Sequence, residues 1–155
     1  MTKKRPQSSI IPKQAAETPN TSYQYVTKNA GLLNGWKLDG NNAFVMASIR
    51  FLQHEYECFS DWGKQEMKVF WNFIEKLHNY TWQNLLDGAR KTGKSGFAPT
   101  KIKKSQYPGG NFKNSLGDDI ELFELRVDQG KRVHGFRVDS VFYICWLDKN
   151  HRICA

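Results

Sequence analysis

The feature that most constrains the fold is the stretch 120–154, where two turn signals separate three runs of residues that favour extended backbone. Asp128-Gln129-Gly130-Lys131 supplies the first turn signal, with Gly130 expected at a left-handed position, and Asp139-Ser140 supplies the second. The runs between them are rich in Val, Phe, Tyr, Ile and Trp. The pattern therefore predicts three consecutive antiparallel strands.

A three-residue loop at Gln129–Lys131 predicts the register of these strands. The expected cross-strand pairs are Val127–Val133, Leu125–Gly135, Arg126–His134, Val138–Val141, Gly135–Ile144 and Val133–Trp146. Alternation then gives one apolar face, on which Arg137 fits poorly; its apolar members are Phe123, Leu125, Val127, Val133, Phe142, Ile144 and Trp146. The opposite, polar face carries Glu124, Arg126, Asp128, Arg132, His134, Phe136, Tyr143 and Cys145. A slip of one residue would bury the charges, which favours this register.

Two helices and one further strand are predicted upstream. Residues 44–52 alternate in polarity and are expected to form a strand that joins the sheet. Ser60-Asp61 predicts a helix N-terminus, and apolar residues at helical spacing continue to Leu77 or His78. Thr81 predicts the cap of a second helix that ends near Gly88 or Arg90. The sequence thus predicts an α+β fold, with a helical pair packed on one face of a small antiparallel sheet.

Composition divides the chain into a tail and one domain. Residues 1–25 are rich in Lys, Pro, Gln, Ser and Thr without periodicity, and are expected to be a disordered basic tail before a single α+β domain at 26–155. Residues 91–119 combine glycines, lysines and two prolines. They are expected to form either a long loop or a short hairpin around Tyr107–Gly110.

Charge and cysteine content bear on partners and compartment. The net charge of +8 raises the expectation of a polyanionic partner, which could be DNA, RNA or an acidic protein; the alternative is a solvated basic surface with a basic tail. No apolar run approaches the roughly 20 residues of a membrane helix, and no secretory signal is evident. The three cysteines (Cys58, Cys145 and Cys154) are odd in number and lack a CxxC pair. A reduced, cytoplasmic location is therefore expected.

Standard nucleotide, zinc-protease and hydrolase motifs are absent from the sequence. A zinc site from His151 and Cys154 would need a third ligand, and the usual ligand spacing is missing. We therefore predict no metal and no cofactor. Cys145 is expected to be a small packing residue rather than a reactive thiol.

The polar face carries the strongest functional signal. Metal-independent RNA cleavage needs a base for the 2′-hydroxyl proton, an acid for the leaving 5′-oxygen and cations for the charged phosphorane. His134, Tyr143 and His151 are predicted catalytic residues; the predicted substrate-binding residues are Arg126, Arg132, Lys149 and Arg152. The alternative is an ordinary solvated sheet whose charges are cross-strand partners, such as Asp128 with Arg132.

The stretch FELRVDQGKRVHGFRVDSVFYICWLDKNHRI resembles the closing strands of toxins of the RelE/ParE/HigB type. Arg126 and Arg132 match the arginines of the family's hairpin, and Lys149, His151 and Arg152 match its basic closing segment. The resemblance implies a small α+β fold, mRNA cleavage (often on the ribosome) or gyrase inhibition, and an antitoxin partner. The ParE branch lacks nuclease chemistry, so the fold alone implies no ribonuclease.

Three hypotheses follow from the sequence. The first is a RelE/HigB-like, metal-independent endoribonuclease acting on mRNA. The second is a non-enzymatic module that binds nucleic acid or protein through the same basic sheet face. The third is an accessory interaction domain whose basic charge is incidental.

Overall fold

The structure, a computed structural model, describes residues 40–90 and 96–154. The predictions for the tail 1–25, and for 26–39 and 91–95, lie outside these residues. The described helices are α1 (Lys64–His78), α2 (Trp82–Arg90) and α3 (Asn111–Ser115); the strands are β1 (Met46–Ser48), β2 (Thr100–Lys101), β3 (Leu122–Arg126), β4 (Arg132–Val138) and β5 (Val141–Asp148). The predicted α+β class is confirmed. Within the described ranges, no helix has the length and apolar character needed to cross a bilayer.

The five strands form one mixed sheet in the order β1-β5-β4-β3-β2. The predicted strand at 44–52 does join the sheet, although only Met46–Ser48 is extended in the ladder. It pairs with β5 in parallel, whereas all other neighbours are antiparallel. A helical pair follows β1 in the chain, so no hairpin forces this strand to run antiparallel to its neighbour.

Both predicted helices are present. α1 begins at Lys64 with Gly63 as its N-cap, because Phe59–Asp61 forms a short 3-10 turn instead of the predicted cap. Trp62 is thereby free of the helix, and its indole N–H donates to the Leu147 carbonyl at 3.0 Å. Thr81 caps α2 as predicted, since its hydroxyl oxygen accepts the Asn84 N–H at 3.2 Å.

The two long helices cover the apolar face of the sheet. The buried residues of this core are Val45, Trp62, Phe73, Leu77, Trp82, Leu85, Phe97, Leu125, Val133, Phe142, Ile144 and Leu147. Arg137, which fits this face poorly in the sequence, lies at its edge with the guanidinium 4.2 Å from the centre of the Trp82 ring. Its Nη1 also donates to the Asn41 side chain at 2.8 Å. These contacts satisfy the charge where the sheet meets α2.

The β3–β4 register is shifted by two residues from the predicted one. Arg126 lies opposite Arg132, and Leu125 opposite Val133. The Asp128 carboxylate explains the longer turn, because Oδ1 accepts the N–H groups of Gly130 (2.9 Å) and Lys131 (2.7 Å). Gly130 is not among the described glycines with positive φ, so the left-handed assignment is wrong. A shift of two residues leaves each side chain on its predicted face.

The β4–β5 ladder follows the prediction for Val138–Val141 and Gly135–Ile144, and then breaks. Beyond a bulge at His134/Gly135, His134 lies opposite Trp146 and Val133 opposite Leu147. The extra residue on β5 reverses the alternation. Trp146 therefore lies on the polar face, contrary to prediction, and Leu147 takes its place in the helix-side core.

The polar face is not open to solvent. Residues 102–120, here called the covering segment, pack across it and form a second core. The buried residues of this second core come from the covering segment, the sheet and the turn after β5: Tyr107, Leu122, Phe136, Cys145, Trp146 and Ile153. The loop-or-hairpin prediction for 91–119 is wrong in its described part, which contains β2, a 3-10 turn and α3. The segment's apolar residues have irregular spacing, which explains why no periodicity revealed the cover.

The Asp128 turn yields a stability prediction. Burial raises the pKa of this carboxyl, but the bonds from Lys131 and from two backbone N–H groups outweigh burial and hold the pKa below its ordinary 3.8. A lowered folded pKa means that ionised Asp128 stabilises the fold at neutral pH, and that this contribution disappears as pH falls through that lowered value. We expect Asp128→Asn to cost about 1 kcal/mol at pH 6, since the side chain is a third exposed. Urea unfolding at pH 6 and pH 3 measures this, and an equal loss at both pH values would contradict it.

Candidate functional site

A buried polar cluster crosses the sheet where β3, β4 and β5 meet. Glu124 and His134 are cross-strand partners, and Asp148 ends β5. His134 and Asp148 are fully buried. His134 Nε2 lies 3.4 Å from Asp148 Oδ2 and 3.8 Å from Glu124 Oε2. Within the described part of the chain, Nε2 makes no well-aligned hydrogen bond. A buried imidazole nitrogen in this condition requires an explanation.

The covering segment fixes the other side of the His134 ring. The Tyr107 hydroxyl lies 3.1 Å from His134 Nδ1, and the Tyr107 ring stacks on Trp146 with centroids 4.8 Å apart. Burial, followed by the nearby Cys154 and Glu124, raises the pKa of Tyr107 far above its ordinary value, so the hydroxyl stays neutral. The neutral hydroxyl can donate a hydrogen bond to Nδ1 or accept one from it, according to the tautomer of His134.

Asp148 organises the turn that follows β5. Its carboxylate oxygens accept the N–H groups of Arg152 (2.8 Å) and Ile153 (2.9 Å). Burial raises the pKa of Asp148, but the His134 imidazole and these two donors outweigh burial and lower the pKa below its ordinary value. The turn places His151 at φ +55°, in the left-handed region. This geometry brings the end of the described chain back to β3.

Glu124 is the point where these groups converge. Its Oε2 accepts the Cys154 thiol at 2.9 Å and lies 3.5 Å from His151 Nε2, while Oε1 lies 3.8 Å from Arg132 Nε. Burial, together with the bond to Glu124, raises the pKa of Cys154 to about 12. A thiol of this kind is a poor nucleophile at neutral pH. Cysteine-based covalent chemistry is therefore disfavoured in this arrangement.

A pocket of about 210 Å³ opens beside Glu124, and we call it the arginine pocket. Its lining residues are Gly88, Ala89, Ala98, Pro99, Thr100, Glu124, Arg126, Arg132 and His151. Arg126 and Arg132 are directly opposite on neighbouring strands, where like charges repel unless an anion offsets them. Two non-glycine residues of the lining, Ala98 and His151, have positive φ values of 41° and 55°. Such backbone is uncommon outside glycine and is concentrated at functional sites.

The structure separates the predicted site residues into two groups. Arg126, Arg132 and His151 line the arginine pocket. His134 lies beneath it with no exposed surface. Tyr143 is stacked on Phe136 with ring centroids 5.3 Å apart, and the tyrosine bonded to His134 is Tyr107 instead.

The two remaining basic residues are engaged elsewhere. Lys149 lies at the start of α1, where its Nζ donates to the Asp61 carbonyl at 3.1 Å and lies 3.3 Å from Glu66 Oε1. Arg152 Nε lies 3.7 Å from Glu57 Oε1, and burial raises the pKa of that carboxyl. Neither residue lines the arginine pocket.

Sequence reasoning gave no functional role to Glu124, Asp148 and Tyr107, and it considered Cys154 only as a zinc ligand beside His151. The sequence could have indicated Glu124, because it lies two residues before Arg126 and therefore on the same polar face of the strand. Asp148 had no such signal, because it accepts the N–H groups of Arg152 and Ile153, which lie beyond the two-residue reach of an Asx turn. Tyr107 lies in an aperiodic stretch, and its place against His134 depends on the covering segment alone.

Comparisons of the chain with protein-family models, with curated proteins and with solved structures gave no match.

Proposed function

We propose that the protein is a metal-independent endoribonuclease of the RelE/HigB type, with the arginine pocket as its phosphodiester-binding site. The observation that carries the proposal is the meeting of Glu124, Arg126, Arg132 and His151 around one pocket. These four residues supply the parts that metal-free RNA cleavage requires: a carboxylate, an imidazole and two guanidinium groups.

The electrostatics favour an anionic ligand. Arg126 and Arg132 are cross-strand partners, and Glu124 is the carboxylate closest to them in the lining, 3.8 Å from Arg132 Nε. Two guanidinium groups that line one pocket beside a single carboxylate give it a positive local charge. A phosphate diester is the anion whose oxygens match the paired N–H donors of arginine. The net charge of +8 adds a long-range attraction for nucleic acid.

The proposed chemistry is an internal transfer. Glu124 accepts the proton of the 2′-hydroxyl as its oxygen attacks phosphorus, and the bond from phosphorus to the 5′-oxygen breaks. Protonated His151 donates its proton to the departing 5′-oxygen, while Arg126 and Arg132 stabilise the charge on the phosphorane. The products are a 2′,3′-cyclic phosphate and a 5′-hydroxyl end.

Substrate must separate the two proton-transfer groups, since Glu124 Oε2 and His151 Nε2 lie 3.5 Å apart in the free protein. The His151 side chain is 36% exposed, whereas that of Glu124 is 10% exposed. His151 is therefore the partner that can rotate outward to the leaving group. The contacts of both groups with the substrate would then form only in the bound complex, as is common for proton-transfer groups.

The toxin assignment and its partners belong to the same proposal. It is supported by the closing-strand resemblance and by the order of one strand, two helices and then antiparallel strands. It implies mRNA, free or bound to the ribosome, as substrate, an antitoxin as protein partner and a cytoplasmic site of action. The second candidate function is non-enzymatic: the facing arginines alone favour a phosphate ligand and would bind nucleic acid without cleaving it.

The test uses reduced protein in EDTA with end-labelled RNA, and separately with a translating extract. We expect cleavage that leaves cyclic phosphate ends, and a loss of about a hundredfold or more in Glu124→Gln and His151→Ala. Arg132→Ala should lose both binding and cleavage. Lys149→Ala is the matched control, because it removes a cation that lies outside the pocket.

Three outcomes separate the hypotheses. Salt-sensitive binding with intact RNA would support the non-enzymatic module. Cleavage that persists unchanged in both Glu124→Gln and His151→Ala would overturn the assigned roles. Neither binding nor cleavage would overturn the nucleic-acid proposal altogether. His134→Ala is a poor test of chemistry, because it empties a fully buried position and would confuse catalysis with folding.

A further inference from the structure

We infer that Glu124, His134, His151 and Cys154 form a zinc-binding site, and that bound Zn²⁺ switches off the arginine pocket. The inhibitory part rests on the proposed function, because zinc would take the Glu124 and His151 atoms assigned to proton transfer. The binding part rests on the geometry of the four side chains alone.

The ligand atoms are already clustered. One ligand atom each from Glu124, His134 and Cys154 lies within 4.8 Å of the other two. His151 Nε2 adds a fourth, 3.3 Å from Cys154 Sγ and 3.5 Å from Glu124 Oε2. Tetrahedral zinc with bonds of about 2.0–2.3 Å places its ligand atoms roughly 3.3–3.7 Å apart. The two separations that involve His151 already match this range, whereas the ligand atoms of Glu124, His134 and Cys154 would have to approach one another by up to about 1 Å.

A second observation points independently to a ligand. His134 is fully buried, and its Nε2 has no well-aligned hydrogen-bond partner in the described residues, although it lies 3.4 Å from Asp148 Oδ2 and 3.8 Å from Glu124 Oε2. The opposite nitrogen, Nδ1, is held by the Tyr107 hydroxyl at 3.1 Å. Histidine ligands in zinc sites are typically held in this way, with one ring nitrogen on the metal and the other bonded to a neighbouring group.

The donor set suits zinc better than a hard cation. Two imidazoles, one thiolate and one carboxylate match the nitrogen and sulfur preference of Zn²⁺, whereas Ca²⁺ and Mg²⁺ prefer oxygen ligands. Zinc would displace the proton of the Cys154 thiol, which now bonds to Glu124. The ligands come from β3, β4 and the turn after β5, which explains why no spacing motif appears in the sequence.

Metal binding is tested with the full-length, reduced, metal-stripped chain without a polyhistidine tag, titrated with Co²⁺ and then with Zn²⁺. We expect about one ion per chain and a thiolate-to-cobalt charge-transfer band that zinc displaces. Cys154→Ala should abolish the band and weaken zinc binding about a hundredfold or more. Tyr107→Phe keeps the ring stack but removes the Nδ1 partner, and should weaken binding about tenfold.

Cys58→Ala is the matched control, since Cys58 is a buried free thiol that contacts Ser60 instead of this cluster. It should retain the cobalt band and the zinc affinity. Absence of the band in the unsubstituted chain, or its persistence in Cys154→Ala, would overturn the site.

Inhibition is tested separately by RNA cleavage. One equivalent of Zn²⁺ should lower cleavage at least about tenfold, EDTA should restore it, and Cys154→Ala should be much less sensitive. Cleavage that is unaffected by stoichiometric zinc would overturn the switch. If the metal-free protein cleaves no RNA, the proposed function and the switch both fail, while the cobalt spectrum still decides the metal site.

Discussion

Replacing Gly135 by alanine is expected to destabilise the protein by at least about 3 kcal/mol, and to lower the yield of soluble protein. A Cβ atom at this position would collide with the carbonyl oxygen of Tyr143 and would lie 2.8 Å from its carbonyl carbon. The obstacle is backbone of β5, so no side-chain rotation relieves it. The clash falls at the β4–β5 bulge, which decides the side of the sheet on which Trp146 and Leu147 lie.

Chemical unfolding of Gly135→Ala beside Gly88→Ala measures this effect. Gly88 lies within α2, and a Cβ there meets nothing within 4 Å. Gly88→Ala should therefore leave stability unchanged or raise it by about 0.5–1 kcal/mol. If the two alanine variants unfold at similar denaturant concentrations, the bulge is not the constraint that we infer.

Asp148→Asn is expected to cost about 2–4 kcal/mol at neutral pH. The carboxylate accepts two backbone N–H groups, from Arg152 and Ile153, with no exposure to solvent. An asparagine amide has one oxygen, so its NH₂ group would face a second donor and leave that buried N–H unsatisfied. The turn carrying His151 should loosen, because these two bonds fix it.

Urea unfolding and amide hydrogen exchange test the Asp148 variant together. Protection of the Arg152 and Ile153 amides should fall even under conditions where the variant remains folded. Because the folded pKa of Asp148 is lowered, its contribution is lost as pH falls through that value, so the stability difference should shrink in acid. Asp118→Asn, at a fully exposed side chain, is the control expected to change little. Unaltered amide protection in Asp148→Asn would contradict the role given to the carboxylate.

Local periodicity accounts for what the sequence determined. Two-residue alternation in 120–154 and helical spacing in 64–90 predict the strands, the helical pair and the apolar sheet face, because each pattern depends only on near neighbours. The same alternation placed Arg126 and Arg132 on one face of the sheet. A register error of two residues did not change this, since side chains repeat every two residues along a strand.

Tertiary structure decided the functional geometry. The bulge moved Trp146 to the polar face, where it stacks with Tyr107 and where the covering segment buries His134. The turn held by Asp148 brought His151 and Cys154 to Glu124, across more than twenty residues of chain. The hydrophobic periodicity of a sequence predicts which face of a helix or strand a residue occupies. Whether that face meets water, a covering segment or a distant turn depends on contacts between segments that share no local signal, and only the folded chain determines them.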